Sequence, residues 1–426
     1  MIGAGVNGAS VGREAALRGL RTLLVDAVDL CAGTSGASSR LIHGGIRYLE
    51  HGELRLVHES LRERELLLRA APHLVRPYPL LIPFYRHNRR SRRVIRAGMI
   101  AYDVLSPRKS TPRHRILSRA EVLRRYPGLA RDGLTGAAHY VDAQVPLAER
   151  LGVELAVDAA ALGAEVLTHW AVTSMTRVAS GSDVSLRDAV TGRSAVVHAR
   201  VVVNCAGPWA DKVLALAGID AQPPLVRGSK GSHLLARRFT GAPATGVHYE
   251  ARSDGRAVLV LPIGDDYLIG ATDTFVDGDP ADAACTDDDV RYLLTEVNNL
   301  FPPAELTAGD IVRSYCGIRP LPYSPQSAST AEVSRDHHVV THPDIPGLFS
   351  VVGGKLTTHR ALGELVLRRV ASTLPTADVR RTPRHPSRHR RLPGGRCDNW
   401  PDFADRFRRT AGLDKDVVER LLQIYG

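Results

Sequence analysis

Long apolar runs are missing from this 426-residue sequence. No stretch approaches the ~20 residues of a membrane-spanning helix, and the longest, such as Ala257 to Ile263, have the length of buried strands. A spanning helix is therefore not expected. The opening residues MIGAGVNG lack the basic start, apolar middle and small-residue cleavage site of a secretory leader, so a protein kept inside the cell is expected. Cysteine is sparse. Cys31, Cys205, Cys285, Cys316 and Cys397 lie far apart, with no C-x-x-C pair and no histidine at ligand spacing, which argues against a disulfide frame and against a metal site. Aromatic residues are only 5% of the chain and none interleaves its basic runs, which argues against nucleic-acid binding. No internal repeat is present.

What remains is the composition of a soluble globular protein, 44% hydrophobic and 24% charged, long enough for two interleaved domains and the start of a third. The net charge of +11 and pI near 9.7 suit an anionic partner: a phosphorylated small molecule, nucleic acid or an acidic membrane surface. Two arginine-rich runs carry much of the excess, Arg86 to Arg96 and Arg380 to Arg391. Each reads equally well as a solvated loop.

The chain opens as strand, glycine turn, helix and strand. Gly3, Gly5 and Gly8 form G-x-G-x-x-G, and Asp26 ends the next strand. The first two glycines let the backbone approach a pyrophosphate facing the amides of a helix N-terminus, and the third lets the helix pack closely. Asp26 is then placed to accept hydrogen bonds from an adenosine ribose. Only Met1 and Ile2 precede Gly3, short for a first strand of ~5 residues. Beyond Asp26 the chain runs into a Gly/Ser loop and His43-Gly44-Gly45, not into further βαβ units, which favours FAD over NAD. Later, Glu165 to Val172 and Arg200 to Asn204 read as strands. Short strands dominate from Leu225 to Asp273, and Gly353-Gly354 leads into a second glycine-to-helix junction.

Several segments extend this reading: GTSGASSRLIHGGIRYLEHGELRLVHESLRERELLLRAAPHLVRP, NCAGPWAD, GSKGSH, IGATDT, YCGIRPL, SRDH and GGKLTTHR. Together they resemble the FAD-dependent glycerol-3-phosphate dehydrogenase family, within the D-amino-acid-oxidase-like flavoproteins, from the first residues to about His359. The resemblance implies FAD held by Gly3, Gly5, Asn7, Gly8 and Asp26, by Thr34, Ser35, Ser39, His43, Gly44 and Gly45, by Val172, Ala206 and Gly207, and by Gly354, Lys355, Leu356 and Thr357. It implies a substrate phosphate held by Arg47, Tyr48, Arg319, Arg335 and Lys355, a set whose guanidinium forks and hydroxyl suit a phosphomonoester. Oxidising a secondary alcohol needs a base and a cation beside the developing alkoxide; His233 is the candidate base and Arg319 the candidate cation. The family commonly has Lys where Arg40 stands.

The expected fold is α/β. A Rossmann-like FAD-binding domain is assembled from the discontinuous segments 1–75, 140–224 and 320–376, beside an antiparallel-sheet substrate domain of 76–139 and 225–319. Residues 390–426 look like the start of a C-terminal helical domain that the family usually completes, leaving Val417, Val418, Leu421, Leu422 and Ile424 with little chain to cover them. The expected reaction is oxidation of sn-glycerol 3-phosphate to dihydroxyacetone phosphate, with electrons passed to membrane quinone. Oxygen as acceptor, or an inactive FAD-binding protein, are the alternatives. A homodimer is compatible with the sequence. The Arg86–Arg96 run, with Met99, Ile100, Tyr102, Val104 and Leu105 beyond it, is expected to attach the protein to the inner face of the cell membrane.

Overall fold

The computed structural model describes all residues except 51, 107–108, 328, 331–332 and 376–382, so the start of the second arginine run lies outside the described residues. Its first sheet is built from distant pieces. Glu165–Leu167 lies parallel to Leu23–Val25, and Val202–Asn204 parallel to Leu348–Val352, which His338–Thr341 flanks in the antiparallel sense. Ile2 joins the halves by parallel bridges to Val25 and Asn204. The short opening segment thus fills the middle of the sheet: Ile2 N donates to Val203 O at 2.9 Å and Cys205 N to Ile2 O at 2.7 Å.

Helix Val6–Leu17 follows directly, with Gly5 in extended geometry at its N-cap and Gly19 in the left-handed region just past its end. It packs against helices Ala148–Ala161 and His359–Ala371. Gly8 is required where the start of this helix abuts the glycine turn, because a Cβ there would overlap the Gly3 carbonyl.

A ten-stranded sheet carries the other half of the molecule. It is antiparallel except where Gly246–Glu250 runs parallel to Arg76–Tyr85. Strand Val226–Arg237 lies between Ile311–Pro322 on one side and Thr274–Val276 and Asp266–Gly270 on the other, and its register sets His233 opposite Tyr315 and Ser229 opposite Arg319. Helix Asp287–Leu300, started by the Thr286/Asp289 capping box, buries Leu293, Val297 and Leu300 against Leu234, Val260 and Ile269. Each such side chain contributes roughly 1.5–3 kcal/mol on burial.

Three segments differ from the sequence reading. Glu165 to Val172 is not one strand: the chain turns at His169 (φ 62°), and Trp170–Val178 begins a separate three-stranded antiparallel sheet with Gly181–Asp188 and Ser194–Ala199. In helix Arg92–Val104, Met99 and Tyr102 point into the core and cannot enter a membrane. A rotation of 100° per residue places Ile100 and Val104 on the opposite, exposed side. The Arg86–Arg96 run is also not uniformly free, since Arg90 pairs with Glu50 and with Glu250.

The C-terminal segment is seated, not loose. Helices Trp400–Thr410 and Lys415–Ile424 bury Ala404, Val418 and Leu422 against each other, while Val417 stays exposed. Arg150 Nε donates to Ile424 O at 2.7 Å, and the rings of His73 and Trp400 lie 5.7 Å apart. Arg390 and Arg396 close on Asp158, whose buried carboxylate also takes Arg13 Nε at 2.7 Å. Part of the second arginine run is therefore structural.

Candidate active site

A cavity of about 1320 Å³ lies between the two sheets and reaches from Gly3 and Asp26 to Arg319 and Lys355. Single small-molecule pockets span about 300–1,000 Å³, so this volume suits a dinucleotide together with a substrate. Every site residue inferred from the sequence lines it except Gly8 and Gly44. Gly8 serves the close contact between the helix start and the Gly3 turn described above. Gly44 is turned inward: its N–H donates to Tyr102 Oη at 2.8 Å, and a Cβ would meet Leu61 and the Tyr102 hydroxyl.

The nucleotide end is shaped by backbone. Gly3 takes φ 94°, and a Cβ there would lie 2.7 Å from Cys205 O. Ser35 Oγ accepts from Val6 N at 2.9 Å, at the start of the first helix. Asp26 Oδ2 accepts from Ala4 N at 2.6 Å and Oδ1 from Val28 N at 3.0 Å, which leaves part of the carboxylate's four-site acceptor capacity for a ribose. Ala206, Gly207 and Val172 line the same end, together with Trp170 and Trp209, aromatic planes that the sequence reading had not singled out. Gly353 and Gly354 both take positive φ, and a Cβ on Gly354 would fall 2.7 Å from Asn7 Nδ2. Asn7 Oδ1 is buried without a partner. Thr357 Oγ1 clasps the His43 backbone, accepting from its N–H at 3.1 Å. Thr34 and Ser39 are engaged within the protein, with Ile318 O and His233 Nε2 respectively. Arg40 forms a two-pronged pair with Glu149 at 2.7 and 2.9 Å, a geometry that Lys lacks.

These features fit FAD, with a glycine cradle for its pyrophosphate and an acidic strand end for its ribose. Gly5 is the least crowded of these glycines, since its Cβ would meet only the Ser35 side chain, with Oγ at 3.1 Å, so a substitution there tests the approach of the pyrophosphate with little disturbance of the fold. Gly5→Val is expected to give a folded protein with little FAD; flavin absorbance per protein equal to that of the wild type would remove Gly5 from the pyrophosphate site.

At the opposite end the side chains are cationic. Lys355 Nζ sits 3.8 Å above the centre of the Tyr48 ring. Burial alone would raise the Tyr48 phenol, but Lys355, Arg335 and Arg47 together bring it below its ordinary value. Arg47 is lowered by burial and by Arg335, and makes no ion pair among the described residues. Arg319 Nη1 and Arg335 Nη2 lie 3.2 and 2.8 Å from the two oxygens of Asp273. Strand register and a later segment thus bring together charges that are far apart in sequence.

His233 is buried, stacked on Tyr315 at 5.0 Å between ring centres, with Nε2 2.9 Å from Ser39 Oγ. Burial, and then the charge of Arg319, push its pKa down to about 3. A base with that value stays neutral throughout the physiological range, so its acidic limb shifts well below the ordinary imidazole value. Activity against pH is expected to show no His233 limb near 6.5; an inflection there that disappears in His233→Ala would contradict this environment. His43 and His248 also face the cavity, held at about 4 and about 3, in each case by burial first. His248 and Asp273 are among the polar lining residues that sequence reasoning missed. Asp273 had a signal, since it stands inside the segment IGATDT; His248 had none.

The profile of the family described as FAD dependent oxidoreductase matches residues 1–368. A glycerol-3-phosphate dehydrogenase of Synechocystis is 38% identical, the alignment covering 100% of this chain and 78% of that one. A D-erythritol 1-phosphate dehydrogenase of Brucella abortus is 37% identical over 100% and 83%. Among solved structures, the glycerol-3-phosphate dehydrogenase of Bacillus halodurans complexed with FAD superposes with a TM-score of 0.79 at 29% identity, covering 100% of this chain and 74% of that one. With a glycine cradle, an acidic ribose partner and a family match spanning most of its length, the chain belongs to the FAD-dependent oxidoreductase family.

Proposed function

We propose that this oxidoreductase converts sn-glycerol 3-phosphate to dihydroxyacetone phosphate. The observation that carries the reading is the convergence of Arg47, Tyr48, Arg319, Arg335 and Lys355 on the cavity end that also holds His233. A phosphomonoester carries nearly two negative charges, and guanidinium forks match its oxygens. The relatives named above act, by their names, on monophosphorylated polyols, which supports the same class here.

Bound FAD supplies the two-electron acceptor. The chain's own groups do the rest. Arg47, Arg319, Arg335 and Lys355 hold the phosphate with the Tyr48 hydroxyl. The neutral His233 imidazole takes the hydroxyl proton, and Ser39 at 2.9 Å fixes its ring. Arg319, next to His233, offsets the charge that develops on the substrate oxygen. Burial of this cluster excludes water and strengthens each of these interactions.

Anaerobic addition of glycerol 3-phosphate to the purified flavoprotein is expected to bleach the flavin. D-erythritol 1-phosphate, run in parallel, tests a four-carbon substrate, a reading that the similarity to the Brucella enzyme favours. An unchanged spectrum with both would refute the assignment.

For the acceptor we infer a membrane quinone, with the protein peripheral to the inner face of the cell membrane. No helix among the described residues is long and apolar enough to cross a membrane. Around helix Arg92–Val104 the exposed Arg89, Arg92, Arg93 and Arg96 accompany exposed Val94, Ile100 and Val104, a pairing of charge and apolar surface suited to an anionic interface. Each arginine near such a leaflet contributes about 1 kcal/mol. Replacing Arg89, Arg92, Arg93 and Arg96 with Gln, while sparing the paired Arg90, is expected to abolish salt-sensitive sedimentation with anionic vesicles; unchanged sedimentation would exclude this anchor.

A further inference from the structure

Arg319 and Arg335 come from different parts of the chain, one from strand Ile311–Pro322 and the other from the segment after it, yet both reach the same end of the cavity. Two guanidiniums so close repel each other, and each is long enough to swing away. Asp273 lies between them. Its Oδ1 takes Arg319 Nη1 at 3.2 Å and its Oδ2 takes Arg335 Nη2 at 2.8 Å. The Ser229 hydroxyl also donates to Oδ1, and Arg319 Nη1 reaches Ser229 Oγ at 3.3 Å and Thr272 O at 3.4 Å. Thr330 Oγ1 holds the Asp273 carbonyl at 3.4 Å, tying in the segment that delivers Arg335. Ser229 is opposite Arg319 by strand register, so the carboxylate is itself fixed by the sheet.

We propose that Asp273 is a positioning residue for the substrate phosphate: one carboxylate oxygen per arginine sets the two guanidiniums at the spacing at which both engage one phosphomonoester. This rests on the phosphate reading of the cationic cluster. It differs from a plain stabilising ion pair in a definite way. Removing a carboxylate from a cationic pocket raises its positive charge, which by charge alone tightens anion binding. Positioning demands the opposite sign, because the guanidiniums lose their shared hold.

The test uses the FAD-loaded protein with inorganic phosphate as the probe, its inhibition constant read against glycerol 3-phosphate, alongside KM, kcat and flavin content. In Asp273→Asn, KM and the phosphate inhibition constant are expected to rise together by about tenfold or more, the scale of one charge-assisted contact, while kcat falls less and flavin content is unchanged. Asp273→Glu keeps the charge but displaces it by one methylene, and is expected to fall between. Equal or tighter phosphate binding by Asp273→Asn, with wild-type protein binding phosphate normally, overturns the positioning role alone. Wild-type protein that is not inhibited by phosphate overturns the phosphate reading and this inference with it. If Asp273→Asn does not retain FAD, Asp273→Glu decides: a phosphate constant equal to that of the wild type overturns the proposal, and a raised one supports it.

Discussion

Arg319→Ala is expected to keep its FAD and lose about 10- to 150-fold in kcat/KM, the kinetic equivalent of a charge-assisted hydrogen bond of roughly 1.5–3 kcal/mol. The loss should fall on both KM and kcat, because Arg319 faces the phosphate, already charged in bound substrate, and the alkoxide, whose charge develops only in the transition state. Its removal does not orphan Asp273, which keeps Arg335 at 2.8 Å and the Ser229 hydroxyl. Nor does it reach the glycine cradle, which is built from the parallel sheet. His233, whose pKa Arg319 helps to depress, should move up toward its ordinary value in the variant. Steady-state kinetics with glycerol 3-phosphate, together with flavin content, decide the matter. Undiminished kcat/KM would remove Arg319 from the chemistry.

Asp158→Ala is expected to destabilise the protein by about 3–5 kcal/mol, the cost of breaking a buried ion pair from one side. Asp158 has no side-chain exposure and receives Arg13, Arg390 and Arg396. Burial pushes its carboxyl up, but the Arg390 hydrogen bonds and the Arg13 charge outweigh this and hold it down at about 2. The stabilisation is thus complete above the ordinary carboxylate range near 4 and is lost as pH falls from there toward 2. Removal leaves Arg13 buried on helix Val6–Leu17, whose N-terminus faces the pyrophosphate site, and releases the chain segment around Arg390. Thermal unfolding of the flavoprotein and limited proteolysis after residue 383 read both effects. A melting temperature equal to that of the wild type would show the cluster to be dispensable.

The nucleotide end was legible because its signal is local: three glycines, a helix and an acidic strand end occur within 26 residues. The substrate end was legible only through resemblance. Arg47 and Lys355 come together by folding, and no periodicity links them. Asp273 escaped although it stands in a segment already noticed, because its role depends on strand register, which sequence does not display. His248 escaped because a lone histidine on a strand whose other residues are all buried carries no pattern. Gly44 was taken for cofactor contact when its small size serves Leu61 and Tyr102, a packing demand that looks the same in sequence. The membrane-facing reading of Met99 and Tyr102 failed for a simpler reason: an apolar run in a helix does not share one face.

The way the parallel sheet is pieced together has a consequence for biosynthesis. Ile2 is sandwiched between Val25 and Asn204, and the strand holding Asn204 is itself backed by Leu348–Val352. A ribosome adding about 5–20 residues per second exposes the glycine cradle roughly 20–70 s before Leu348 is made. During that interval the nascent chain carries the start of the nucleotide site without the strand that braces it or the Gly353–Thr357 turn that closes it. FAD capture therefore waits for the Leu348–Thr357 segment, and flavin supply acts on maturation only once that segment has been made.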